Sequence, residues 1–179
     1  MIVPVEISPE LEEWGKLAGY MVAHGSETED GRATFSASLG EIQIFVGQIG
    51  KGLFLITDSD RMGPEHFILA APLMATIERY CFGRFGLEIR SRLGLPRVKV
   101  PISADELPLN FSIETRRFDD AEHWALVAPD NTLVAIGSTD QIAGTADLVK
   151  LSLYLTATTD EIRESTLDPD GKPLFELRN

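Results

Sequence analysis

The chain has 179 residues, 44% hydrophobic and 25% charged, and a formal net charge of −12 at pH 7. This is the make-up of a soluble globular protein with enough apolar material for a sizeable core. The acidity argues against a nucleic-acid binder, whose affinity comes from Lys and Arg on phosphates, and against docking on an anionic membrane. The single cysteine, Cys81, excludes an internal disulfide and agrees with a reducing cytoplasmic setting. The opening Met1-Ile2-Val3-Pro4-Val5 lacks the features of a signal peptide, and no apolar run approaches the roughly 20 residues that span a bilayer.

Ser8-Pro9-Glu10 reads as a helix start: a capping hydroxyl, a proline suited to the first turn and an acid that complements the dipole. Leu11, Trp14, Leu17, Ala18 and Met21 then recur at helical spacing, and the helix is expected to run on until Gly25 and the polar residues after it. Three strands, Arg32 to Ala37, Glu41 to Gln48 and Gly52 to Asp58, form a meander separated by Leu39-Gly40 and Gly50-Lys51-Gly52. Glu65 to Ala70 is open between a strand and a helical turn. A long helix is expected from Pro72, with Leu73, Ile77, Tyr80, Cys81 and Phe85 making a broad apolar surface.

After Gly94-Leu95-Pro96 the plan resembles the first half. Strands are predicted near Phe111 to Phe118, Glu122 to Pro129 and Thr132 to Ser138, followed by a joint at Thr139-Asp140-Gln141 and a helix through Asp147 to Leu155. Asp130-Asn131 suits a hairpin turn, Thr159-Asp160-Glu161 begins a short helix, and Asp168-Pro169-Asp170-Gly171 is a strong turn. The expectation is an α+β fold in a single domain, residues 1–179, with antiparallel sheet under packed helices and possible pseudo-repeated halves at 1–95 and 96–179.

The chemistry-bearing residues are sparse. His24, His66 and His123 are isolated, without the paired spacing of a metal site, and Cys81 sits among apolar neighbours as a packing thiol. There is no nucleophile elbow, phosphate loop or dinucleotide fingerprint; Gly83-Arg84-Phe85-Gly86 is too short and bulky for phosphate, so its glycines suggest close packing. Arg79, Arg84, Arg90, Arg92, Arg97 and Lys99 could gather into an anion site, or neutralise acids within the fold. No catalytic set, cofactor or metal is expected. The segment Asp58-Ser59-Asp60-Arg61-Met62-Gly63-Pro64-Glu65 reads as a rigid, charged surface loop, with Gly63 able to take positive φ and Pro64 fixing the next residue. Such a loop suits partner binding, although a plain solvated turn has the same composition.

Several segments resemble, in order and spacing, the necrotizing-toxin immunity factors of mycobacteria and related actinobacteria. They are Leu11-x-x-Trp14-x-x-Leu17-Ala18-Gly19-Tyr20, Ser59-Asp60-Arg61-Met62-Gly63-Pro64-Glu65, Ala71-Pro72, Ile77-Glu78-Arg79-Tyr80-x-Phe82-Gly83, Gly94-Leu95-Pro96, Leu151-Ser152-x-Tyr154-Leu155-Thr156-Ala157-Thr158, and Leu167-Asp168-Pro169-Asp170-Gly171-Lys172-Pro173-Leu174-Phe175. The resemblance implies a non-catalytic cytoplasmic antitoxin that binds a secreted NAD glycohydrolase domain and obstructs its NAD pocket. A protruding, preordered element is what such a role needs, and the Asp58, Asp60, Arg61, Met62 and Gly63 joint fits it, with Met62 as anchor, Asp60 and Arg61 as orienting charges, and Asp119 and Asp120 as rim residues. Two other classes stay open. A secretion or assembly chaperone would expose apolar residues on a strand edge or the first helix. A small enzyme on an anionic substrate would need its arginines to converge in a concave pocket.

Overall fold

The computed structural model describes residues 3–179. The Ser8 hydroxyl accepts a hydrogen bond from the Leu11 amide at 3.3 Å and Pro9 fills the first turn of α1 (Pro9–Leu17), whose Leu11 and Trp14 are buried. The helix stops earlier than its apolar spacing predicts. Gly19 takes φ +98°, a conformation that cannot continue a right-handed helix, so Leu17 is left exposed and Met21 opens a short strand, β1 (Met21–Ala23).

The meander follows as β2 (Ala33–Ala37), β3 (Ile42–Ile49) and β4 (Leu53–Asp60). The ambiguous stretch is a strand, β5 (His66–Ala71), and the long helix α2 (Met74–Arg92) begins just past Pro72 with Leu73 as its exposed N-cap. A two-residue strand β6 (Val98–Lys99) leads into β7 (Ser112–Phe118), β8 (Ala121–Val127) and β9 (Leu133–Gly137). Asp140 caps α3 (Gln141–Leu155) by accepting from the Ala143 amide at 2.7 Å, and Thr158 with Glu161 forms a capping box for α4 (Thr159–Leu167). β10 (Glu176–Leu177) pairs with β6.

Eight strands form one antiparallel sheet in the order β1-β2-β3-β4-β5-β9-β8-β7, so both expected halves contribute to it, joined where Leu69 faces Gly137 and Ala70 faces Ile136. The architecture is α+β. The parallel between the halves fails in detail: Asp60-Arg61-Met62-Gly63 passes into a further strand, whereas Asp140 caps a helix directly.

The helices share one core with the inner face of the sheet. Ile44, Val46, Ile56 and Leu69 from the strands are fully buried with Ile77, Phe85, Leu148 and Leu151 from the helices. The rings of Phe35 and Phe85 lie 4.8 Å apart and those of Tyr20 and Phe85 4.9 Å, while Trp14 Nε1 donates to the Phe82 carbonyl at 3.0 Å. Gly83 serves close packing as its setting suggested: a Cβ there would fall 2.2 Å from the Tyr154 ring, so only glycine lets α2 approach α3 this closely. Cys81 is fully buried, and burial pushes its thiol pKa up to about 12. Among the described residues no helix is long and apolar enough to cross a membrane.

Candidate functional site

Antiparallel pairing sets the sense in which each connection leaves the sheet. β2, β4, β7 and β9 run one way and β3, β5 and β8 the other, so the links after β2, β4 and β7 leave strand ends of the same sense, those after β2 and β4 side by side, while β9 stops level with Leu69 and Ile56. The aromatic cluster of Phe67, Phe118 and His123, with ring centroids 5.3 to 6.2 Å apart, ties the β5 and β7–β8 ends together.

The backbone of these links is unusual. Seven non-glycine residues among those described have positive φ, and six lie in these links: Ser38 (52°), Leu39 (56°), Arg61 (47°), Met62 (57°), Asp119 (44°) and Asp120 (64°). Left-handed backbone costs a residue with a Cβ about 1–2 kcal/mol. Asp tolerates it better than Leu, Met or Arg, which have no short side-chain oxygen to bond the local backbone. Strain of this kind concentrates at functional sites.

Arg61 and Met62 are the central pair of a tight turn closed by the Gly63 amide donating to the Asp60 carbonyl at 2.7 Å. The positive φ expected of Gly63 belongs to these two residues instead, the central pair of a primed turn, in which both take left-handed backbone, set within the longer link between Asp58 and His66. Met62 is 87% exposed. The turn is tied on each side: Arg61 N donates to the Glu41 carbonyl at 2.6 Å, Ser59 Oγ to the Gly63 carbonyl at 2.8 Å, and Thr57 Oγ1 to Glu65 at 2.8 Å. Arg32 grips both Glu65 oxygens, at 2.7 and 3.0 Å, and lies over the Phe45 ring. Those hydrogen bonds hold the Glu65 carboxyl below its usual pKa.

Asp58 is placed differently from its neighbours. It lies within β4 facing the helices, half-buried, and its carboxylate accepts from Arg84 of α2 at 3.0 Å. Asp60 ends the strand and is exposed. Asp119 and Asp120 form the exposed two-residue loop between Phe118 and Ala121, over a recess of about 810 Å3 lined also by Ile49, Leu53, Arg117 and Ile136. Asp60, Arg61, Met62 and Gly63 thus form one turn, with Asp58 supporting it from beneath, while Asp119 and Asp120 lie against Ile49 and Leu53 at the other end of β3 and β4 and are not brought together with it.

The basic cluster resolves into separate structural duties. Arg79 donates to the Tyr154 and Ala157 carbonyls, Arg84 pairs with Asp58, and Arg90, 3% exposed, donates to carbonyls of Pro96, Ser165, Thr166, Asp168 and Pro169. They are directed at different partners along α2 and do not converge on one concave site. A smaller polar cavity of about 280 Å3 between α2 and α3 has its groups matched internally, with Tyr80 donating to Asp147 at 3.0 Å and Lys150 3.5 Å from Asp147.

The resemblance seen in the sequence extends to whole-chain similarity. Residues 14–174 match the family model described as Immunity protein 61, and the chain belongs to that family. It is 38% identical over 177 residues to the "Immunity factor for TNT" of Mycobacterium tuberculosis and, to the same degree, to the "Immunity factor for TNT homolog" of Mycobacterium bovis BCG, covering 99% of this chain and 97% of each relative. The solved structure titled "Rv3902c from M. tuberculosis" superposes with a TM-score of 0.89 at 37% identity, covering 99% of this chain and 98% of that one.

Proposed function

We propose that this chain is a non-catalytic cytoplasmic immunity protein that binds a secreted NAD glycohydrolase toxin domain and blocks its NAD-binding pocket, protecting the producing cell. The observation that carries the reading is the preordered turn in a member of an immunity-protein family: Arg61-Met62 projects from hydrogen bonds on both sides. Obstruction of a nucleotide pocket asks for little chemistry from the inhibitor. It needs a stiff protrusion and a surrounding surface of roughly 800 Å2 per partner, and a turn ordered beforehand loses little entropy on binding. Met62 supplies the apolar anchor, Asp60 and Arg61 orient it, and Gly63 closes the turn. Asp119 and Asp120 form the rim, and Asp58, held by Arg84, fixes the strand that carries the anchor. The acidic surface favours a partner with a basic approach face.

A chaperone reading draws on Leu17 and Met21, 59% and 79% exposed beside the edge strand β1. Part of that flank is closed by Val5, which pairs through its amide with Gly31 and through its carbonyl with Gly25. The deciding experiment is NAD hydrolysis by a necrotizing-toxin domain encoded in the same genome, with this protein titrated in. Stoichiometric loss of activity supports the proposal; full activity at excess protein, with no complex on size exclusion, rejects that pairing.

A further inference from the structure

The link between β2 and β3 contains a feature that folding alone does not explain. Ala37 pairs with Ile42, and between them Ser38, Leu39 and Gly40 take three successive left-handed φ values, 52°, 56° and 87°. Leu39 sits at the centre, 107% exposed. A leucine there gains nothing from burial and carries the steric penalty of its Cβ, where Gly or Asn would fit without strain. A large apolar side chain held out by strained backbone is what a partner surface would use.

This turn is also joined to the one already described. The Glu41 carbonyl accepts the Arg61 amide at 2.6 Å, and Ile42, 38% exposed, lies opposite Asp60 in the register of β3 and β4. Leu39 and Met62 therefore stand on adjoining turns, with exposed Glu41 and Asp60 beside them, while Ile42 lines a recess toward Ala18 and Tyr20.

We infer that Leu39 is a second anchor of the same interface, seated in an apolar recess of the toxin domain whose rim is basic. This rests on the proposed immunity function and adds a contact that function does not require. A partner engaging both anchors must present two recesses, one for each turn, and the hydrogen bond between the turns fixes their relative position before binding. The flanking carboxylates of Glu41 and Asp60 favour Lys or Arg around the recess over acids, which would be repelled.

The test uses Leu39→Gly and Leu39→Asn, both of which relieve the left-handed strain. Thermal unfolding and the Kd for the same NAD glycohydrolase toxin domain are measured side by side. The expected result is an unfolding midpoint equal to or above that of the unaltered protein, with binding weakened at least tenfold. Unaltered affinity in both variants removes Leu39 from the interface while leaving the immunity reading intact. A lowered midpoint in both would make Leu39 a structural residue and overturn the inference as well. Failure of the unaltered protein to bind the toxin domain sinks the function first and this contact with it.

Discussion

The helix-covered face of the sheet and its turn-bearing edge obey opposite rules. On the covered face the large groups are matched to their surroundings: Trp14 Nε1 reaches a carbonyl, the Arg90 guanidinium is satisfied by backbone oxygens, and Gly83 is present because nothing larger fits. At the edge, Leu39, Arg61 and Met62 hold left-handed backbone and remain in solvent, with no burial to offset the strain. One region is shaped by stability, and the other keeps a conformation that stability does not select.

The largest expected effect tests the first region. Trp14→Ala removes a buried indole and should lower unfolding free energy by about 3–5 kcal/mol, read by denaturant titration. A near-neutral result would mean that the α1 face is not core. Next, Asp60→Arg combined with Met62→Ala should weaken the toxin complex by about 2–4 kcal/mol, in the range of interface hot spots, while unfolding shifts by about 0.5 kcal/mol or less. A large stability loss with intact binding would reverse the roles assigned to edge and core.

Arg32→Met frees Glu65 and should loosen the Arg61-Met62 turn, lowering affinity by about 1 kcal/mol through lost preorganisation. Amide exchange at Met62 and Gly63 should quicken; unchanged exchange would show that the backbone bonds alone hold the turn. The smallest effect concerns Glu88, which accepts from Tyr20 OH at 2.9 Å and whose carboxyl pKa is raised by burial. A raised folded-state pKa gives stability that is complete below the ordinary carboxylate range and fades as pH climbs through the raised value. Glu88→Gln should therefore unfold at a higher temperature than the unaltered protein at pH 7, and lose that advantage at pH 4. Equal midpoints at both values would mean that Glu88 ionises freely.

Much of the fold was legible because its signals are local. The Ser8 cap, the alternation along β3, the Asp130-Asn131 turn and the start of α4 are set by residues within a few positions of one another. Helix α1 was read too long because Leu17, Ala18 and Met21 keep helical spacing, while Gly19 alone ends the helix. The turn edge was half legible. Composition picked out Asp60 to Gly63 as a surface turn, but residue type assigned the left-handed backbone to Gly63, when the turn closed by Asp60 and Gly63 places it on Arg61 and Met62. The Asp58 to Arg84 pair spans 26 positions, the Arg32 to Glu65 grip 33, and neither leaves a periodic trace. Leu39-Gly40 was visible only as a separator, since nothing in those two letters says that the leucine stands in water.

The bonds of Arg90 bear on when its part of the core is completed. Its guanidinium, on α2, is completed by carbonyls 75 to 79 positions later in the chain. A nascent chain emerging from the ribosome can form the helix early with that cation in water, yet it cannot be buried with its partners until residues 165–169 have been synthesised. Packing around this part of α2 is thus completed no earlier than when residues 170–179 alone remain to be added.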